Sequence, residues 1–293
     1  MPSSIPSSPY PSSNTGDFSI LKRDIDFRIG GCAAPLWCDN DEIKTAVFDA
    51  FSLFLPEGER FFIRSVHHYL DLVKDPRLLK DVKAFSAQES YHTREHELYN
   101  EALRCEGLPL DVVYQRIANL LGNVKGSLHR LAVTVGVEHL TACLGYAILK
   151  YPEILANSDP RYREIWTWHA LEEIEHKAVA FEVFQVAAAR LPKWKAYLLR
   201  CGSMLLATID IFRMHFDLAL ELLRVRGYSP TWKTGLQLLW VMFGRPGFCR
   251  RITGYYLRFL KPGFFPSHGA EVPYALPWRQ HFNERAASKG SHA

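Results

Sequence analysis

Two Glu-x-x-His pairs, Glu89/His92 and Glu173/His176, constrain this chain more than any other feature. Each sits on a long helical pattern, and each follows another helical pattern that carries one well-placed glutamate, Glu59 or Glu138. Residues three apart lie on one face of a helix, so the Glu and His of a pair can grip the same metal centre. Two pairs and two single carboxylates are donors enough for two cations. The pairs alone are weak evidence, and their placement is stronger. An N-cap followed by a proline marks a turn at Asp75-Pro76. Glu59 lies 16 residues before Asp75, while Glu89 and His92 lie 14 and 17 after it. In an antiparallel hairpin rising about 1.5 Å per residue, these three come to one level. A second turn, from Tyr151-Pro152 to Asp159-Pro160, leaves Glu138 and Glu173 about equally far from its midpoint. Unrelated carboxylates have no reason to obey both symmetries.

Periodicity and breakers predict an all-α chain. Residues 39–55 read as a short helix ended by Pro56. Longer helices follow at about 56–74, 76–105, 127–150 and 159–191, with a connecting helix at about 110–121. There is no Asn-Gly hairpin and no alternating strand run. Residues 1–17 are Ser/Pro-rich and read as a disordered arm, without the apolar region of a signal peptide. Residues 18–192 are expected to form one bundle, 193–262 an apolar helical extension, and 263–293 an irregular Pro/Gly-rich tail.

A net charge of +4 without a basic block gives no expectation of nucleic-acid binding. Six scattered cysteines form no Cys-x-x-Cys, which fits a reducing compartment. The expected location is the cytoplasm, either free or peripheral to a membrane. The extension at 193–262 is interrupted by Arg200, Asp210, Arg213 and Arg224, and no spanning helix is expected in it. Two readings of it stay open. It is either a pair of core or homodimer helices, or a surface that rests on a membrane or covers a tunnel for a greasy substrate.

Oxygen donors combined with imidazole suit Fe or Mn, and no cysteine joins them. Glu138 is embedded in a run from Leu131 to Val137 that is too apolar for a solvated helix. His169 stands four residues before Glu173, so His169, Glu173 and His176 share about 60° of helix arc. His169 is therefore either a seventh metal donor or a supporting histidine. His96, Glu172 and His139 are candidates for holding the donors in place from outside; His96 could instead be a ligand itself, and Glu172 competes with Glu173 for the arc shared with His169. For His139 a purely structural role is the alternative.

The segments LPEGERFF, AQESYH, GVEHLTA and HALEEIEHKAVAFEVF resemble the ferritin-like di-iron superfamily across about residues 55–190. More narrowly, the chain is similar to the family called predicted metal-dependent hydrolase, including its Lys261-Pro262-Gly263-Phe264 stretch. The resemblance implies a ferritin-like four-helix bundle with an extra N-terminal helix and apolar C-terminal helices. It implies Glu59, Glu89, His92, Glu138, Glu173 and His176 as ligands of two iron ions, with Mn as the alternative metal. The added His169 is similar to the arylamine N-oxygenase branch, in which that imidazole is an iron ligand; substrate does not transfer with a motif. The expected function is a di-iron oxidase or oxygenase that needs O₂, an electron donor and a lipophilic small-molecule substrate. Hydrolysis of an ester or amide at a di-metal centre is the alternative, and a ferroxidase or iron-binding role a further one.

Overall fold

The computed structural model describes residues 18–29, 31, 36–244 and 247–290. The arm expected at 1–17 lies outside them. The described residues contain helices and no strand, which meets the all-α expectation. In order these are α1 (Glu42–His67), α2 (Pro76–Cys105), α3 (Leu110–Gly122), α4 (Ser127–Lys150) and α5 (Pro160–His176). They continue with α6 (Val179–Ala187), α7 (Lys193–Val225), α8 (Trp232–Phe243), α9 (Phe248–Tyr256) and α10 (Val272–Gly290). Asp41, Asp75 and Asp159 open α1, α2 and α5 by accepting backbone N–H groups of the first turn, and prolines follow the latter two.

Three expectations need correction. The helices expected at 39–55 and 56–74 are one, because α1 runs through Pro56. A proline cannot donate to the carbonyl four residues back. That carbonyl, on Ser52, accepts instead from Asn100 Nδ2 at 3.0 Å, so α2 supplies the bond that Pro56 lacks. The helix expected at 159–191 breaks at Lys177-Ala178 into α5 and α6; there Lys177 turns its ammonium into a buried ion pair with Glu271. The irregular tail is helical from Val272. Pro273 sits in the first turn of α10, where its missing N–H is harmless, and Ala275 and Phe282 are buried against the body.

α1 packs against α2 and α4 against α5, while α1 also meets α4 and α2 meets α5. The four helices thus enclose a common interior. α7 lies across α1 and α4. Gly136 makes that approach close: a Cβ there would come within 2.7 Å of Met204 on α7. Buried His215 on α7 bonds the Val47 carbonyl of α1 at 2.8 Å. Residues 193–225 therefore share the core instead of extending from it. α4 is the one described helix long and apolar enough to cross a membrane, and 83% of that stretch is buried within the protein.

Candidate metal centre

The interior of the two hairpins holds seven buried donors. α1 supplies Glu59, α2 Glu89 and His92, α4 Glu138, and α5 His169, Glu173 and His176. Glu59, His92 and His169 converge on one point, and Glu89, Glu138 and His176 on another. Glu89, His92 and Glu173 form a third group between them, with donor atoms within 4.8 Å of one another in each group. His176 Nε2 stands 3.2 Å from Glu89 Oε1, 3.4 Å from Glu138 Oε2 and 3.5 Å from Glu173 Oε2. On the other side, His92 Nδ1 lies 3.8 Å from both Glu89 Oε2 and Glu173 Oε1, and 4.0 Å from Glu59 Oε1.

Hydrogen bonds outside this ring fix which nitrogen each imidazole turns inward. Gln88 Nε2 donates to the Leu21 carbonyl and to Glu175, so Gln88 Oε1 is the acceptor for His176 Nδ1–H at 3.0 Å. His176 Nε2 then presents its lone pair to the carboxylates. His92 Nε2–H donates to Glu172 Oε2 at 3.2 Å, which leaves Nδ1 facing inward. The third ring is set by a longer relay. Asn100 Oδ1 accepts from Ser52 Oγ at 2.7 Å, so Ser52 Oγ accepts from His96 Nδ1–H at 2.9 Å. His96 Nε2 can then only accept, and it faces His169 Nδ1 at 3.2 Å. That leaves the lone pair of His169 Nε2 available to a cation, 3.1 Å from Glu173 Oε1. Such outer partners orient metal-binding imidazoles and raise their basicity.

The atoms left without partners are the inward ones. Both oxygens of Glu89 and of Glu138, Oε1 of Glu59, Nδ1 of His92 and Nε2 of His176 make no hydrogen bond. An unsatisfied buried polar group costs about 1–3 kcal/mol, and more when charged. Divalent cations would satisfy all seven atoms together, and oxygen and imidazole donors fit Fe, Mn or Zn. Burial holds the carboxyls of Glu59, Glu89 and Glu138 well above the usual carboxylate range, with neighbouring carboxylates adding to it. Burial also works upward on Glu173, but the His176 and His169 imidazoles outweigh it and hold that carboxyl well below the range. Burial, helped by the His169 ring, keeps His92 and His96 neutral far into acid.

A pH dependence follows. Three carboxyls that favour the protonated form must release protons to take up cations, so affinity should rise with pH above the ordinary carboxylate value. Without metal the sign reverses. Groups with raised folded values stabilise the fold below the unfolded value, and this is lost as pH rises through the folded one. Calorimetric titration in buffers of differing ionisation enthalpy should show net proton release on metal uptake. Binding without release, at an affinity indifferent to pH, would contradict this charge assignment.

Several supporting residues carry no sequence signal. Arg23, in the non-helical segment before α1, is buried and reaches Glu172 Oε1 at 3.0 Å and Glu175 Oε1 at 2.7 Å. Through these and Gln88 it stands behind both His92 and His176. Thr93 Oγ1 donates to Glu59 Oε2 at 2.9 Å, and the Thr141 hydroxyl donates to Glu173. Of the expected supports, His96 touches His169 and Glu172 touches His92. His139 does not: its Nε2 faces the Tyr256 carbonyl at 3.1 Å and its ring stacks on Tyr255. It succeeds Glu138 in α4, and the 100° step per residue turns it out of the interior.

Buried carboxylates and imidazoles from four helices, with inward lone pairs, define a candidate metal-dependent centre. The chain matches the family described as predicted metal-dependent hydrolase over residues 21–269, and it belongs to that family. No curated protein and no solved structure matches it.

Proposed function

We propose that this chain is a di-metal enzyme acting on an apolar small molecule inside a ferritin-like bundle. The observation that carries this is the set of seven convergent donors, two of which, His169 and Glu173, also line an apolar pocket. Phe51, Leu55, Leu144 and Ile148 line that pocket together with Thr141, His169 and Glu173. Its lining is almost wholly hydrocarbon, so desolvating a charged substrate there would be costly. An apolar ring or chain would gain from it about 25 cal/mol per Å² buried.

Membership of the hydrolase family favours hydrolysis of an ester or amide over the oxygenase chemistry expected from sequence. Bound cations would polarise the substrate carbonyl and lower the pKa of water. Glu59, Glu89, Glu138 and Glu173 would hold them with the three imidazoles. The Thr141 hydroxyl, held on Glu173, marks where the reacting end of the substrate stops.

One observation favours the second reading, O₂ activation by an iron pair. The relay through Ser52 and His96 readies a third imidazole, His169, giving a donor set rich in nitrogen beside a dry pocket. The test loads the metal-free protein anaerobically with Zn(II), Mn(II) or Fe(II). Chelator-sensitive cleavage of a p-nitrophenyl ester without O₂ is expected for hydrolysis. O₂ consumption and a new visible absorption by the Fe(II) form alone, altered in His169→Ala, would reverse the order of the two readings. Failure to bind any of the three metals would refute both.

A further inference from the structure

Most of the large apolar side chains exposed among the described residues lie between 194 and 243. On α7, Leu198, Leu205 and Ile209 follow one another at helical spacing and form an outward stripe. On α8, Trp232 and Trp240 are 73% and 62% exposed, and Phe243 is exposed beside them. The Phe212 and Phe243 rings lie 5.7 Å apart, which brings the end of the stripe on α7 beside the end of α8. Large apolar side chains exposed together in this way mark an interaction site more often than a free surface.

The charges around this surface indicate what covers it. The only charged residue of α8 is Lys233. Lys193, Lys195, Arg213 and Arg250 are exposed and show no ion pair among the described residues, against Asp210 and Asp217 as the exposed acids of α7. Two tryptophans carry a lysine over the ring: Lys195 Nζ is 5.4 Å from the Trp194 centroid, and Lys233 Nζ is 5.9 Å from that of Trp232. Tryptophan beside lysine is the chemistry of a bilayer interface, where the ring sits among headgroups and the ammonium meets phosphate. A second copy of the chain suits this surface less well, because a two-fold interface would bring the two basic rims together.

We infer that the exposed face of α7 and α8 docks the protein on an anionic lipid surface. The geometry also gives this face a use. Five residues after Phe243, Phe248 forms one wall of the apolar pocket that His169 and Glu173 also line. A protein seated there would draw an apolar substrate from the bilayer, a consequence that rests on the proposed function. The docking itself does not depend on it.

Vesicle flotation tests the inference. The full chain is mixed with phosphatidylcholine vesicles alone, or with vesicles about one-third phosphatidylglycerol, at low and high salt. Binding is expected only to the anionic vesicles and should weaken with salt. Replacing Trp232 and Trp240 by serine should reduce binding at least about tenfold. Because these side chains are exposed, circular dichroism and the thermal midpoint should stay unchanged. Lys195→Gln with Lys233→Gln should weaken binding about fivefold per lysine. Sedimentation equilibrium is run on the same proteins. No binding to anionic vesicles, serine variants that bind as well as wild type, or a stable dimer that these substitutions dissociate would each overturn the inference.

Discussion

Replacing Glu138 by leucine should remove at least one of the two metal ions proposed for the centre while leaving the metal-free protein as stable as wild type or more so. Glu138 is fully buried on α4, no N–H or hydroxyl group donates to either carboxyl oxygen, and only the Glu89 carboxyl lies within reach of a shared proton. In the absence of a cation it is a polar group paid for by the rest of the core, which is why burial holds it in the protonated form. Leucine is of similar bulk, so no large cavity opens. Removing the unsatisfied group should then gain about 1–3 kcal/mol. With metal present the sign changes. One of the three donor groups, Glu89, Glu138 and His176, loses a member, and the ligand-binding stabilisation of the holo protein falls with it. Metal analysis, with urea unfolding in chelator and in excess metal, measures both effects. Two metals per chain in the variant would remove Glu138 from the site. A metal-free variant less stable than wild type by more than about 1 kcal/mol would show that the carboxyl has a structural partner.

That contrast explains what could be read from the sequence. The hairpin register was legible because Asp75-Pro76 and Asp159-Pro160 are strong local start signals, and α2 begins where the first of them places it. The donors stood out because carboxylates in apolar runs conflict with their surroundings, and such conflicts mark function more often than error. Pro56 was misleading. Its effect on α1 is cancelled by Asn100, 44 residues away, and no local rule sees that partner. The tail was misleading for a related reason. Pro and Gly content speaks about backbone preference, but α10 is held by burial of Ala275 and Phe282 and by the Arg279 to Glu175 pair at 2.9 Å. Gln88 and Thr93 lie beside donors in sequence, yet nothing in their identity told that they point at His176 and Glu59. Side-chain direction comes from packing, which a single sequence does not show.

Arg23→Ala should destabilise the protein by about 3–5 kcal/mol, the usual consequence of leaving buried charges without their partner. Arg23 is 1% exposed and bridges Glu172 and Glu175, while its Nε donates to Asn283 at 2.7 Å. Lysine cannot replace it, since one ammonium has no fork to span two carboxylates. The effect should also reach the metals. Glu172 fixes His92, and Glu175 fixes Gln88, which in turn fixes His176. Loss of such outer support weakens metal affinity about 10- to 100-fold. A purely structural role would move stability alone, so the two must be separated. Arg23→Met combined with Glu172→Gln removes the positive charge and one carboxylate together, while Glu175 keeps Arg279 as its partner at 2.9 Å. Stability should recover most of its loss, because no unpaired charge is left inside. Metal affinity should stay low, because a neutral amide supports the His92 proton less strongly than a carboxylate does. Recovery of both in the double variant would show that Arg23 is only a structural pin. Recovery of stability with affinity still reduced would make this arginine, in a segment without secondary structure, the residue that positions an imidazole on each side of the centre.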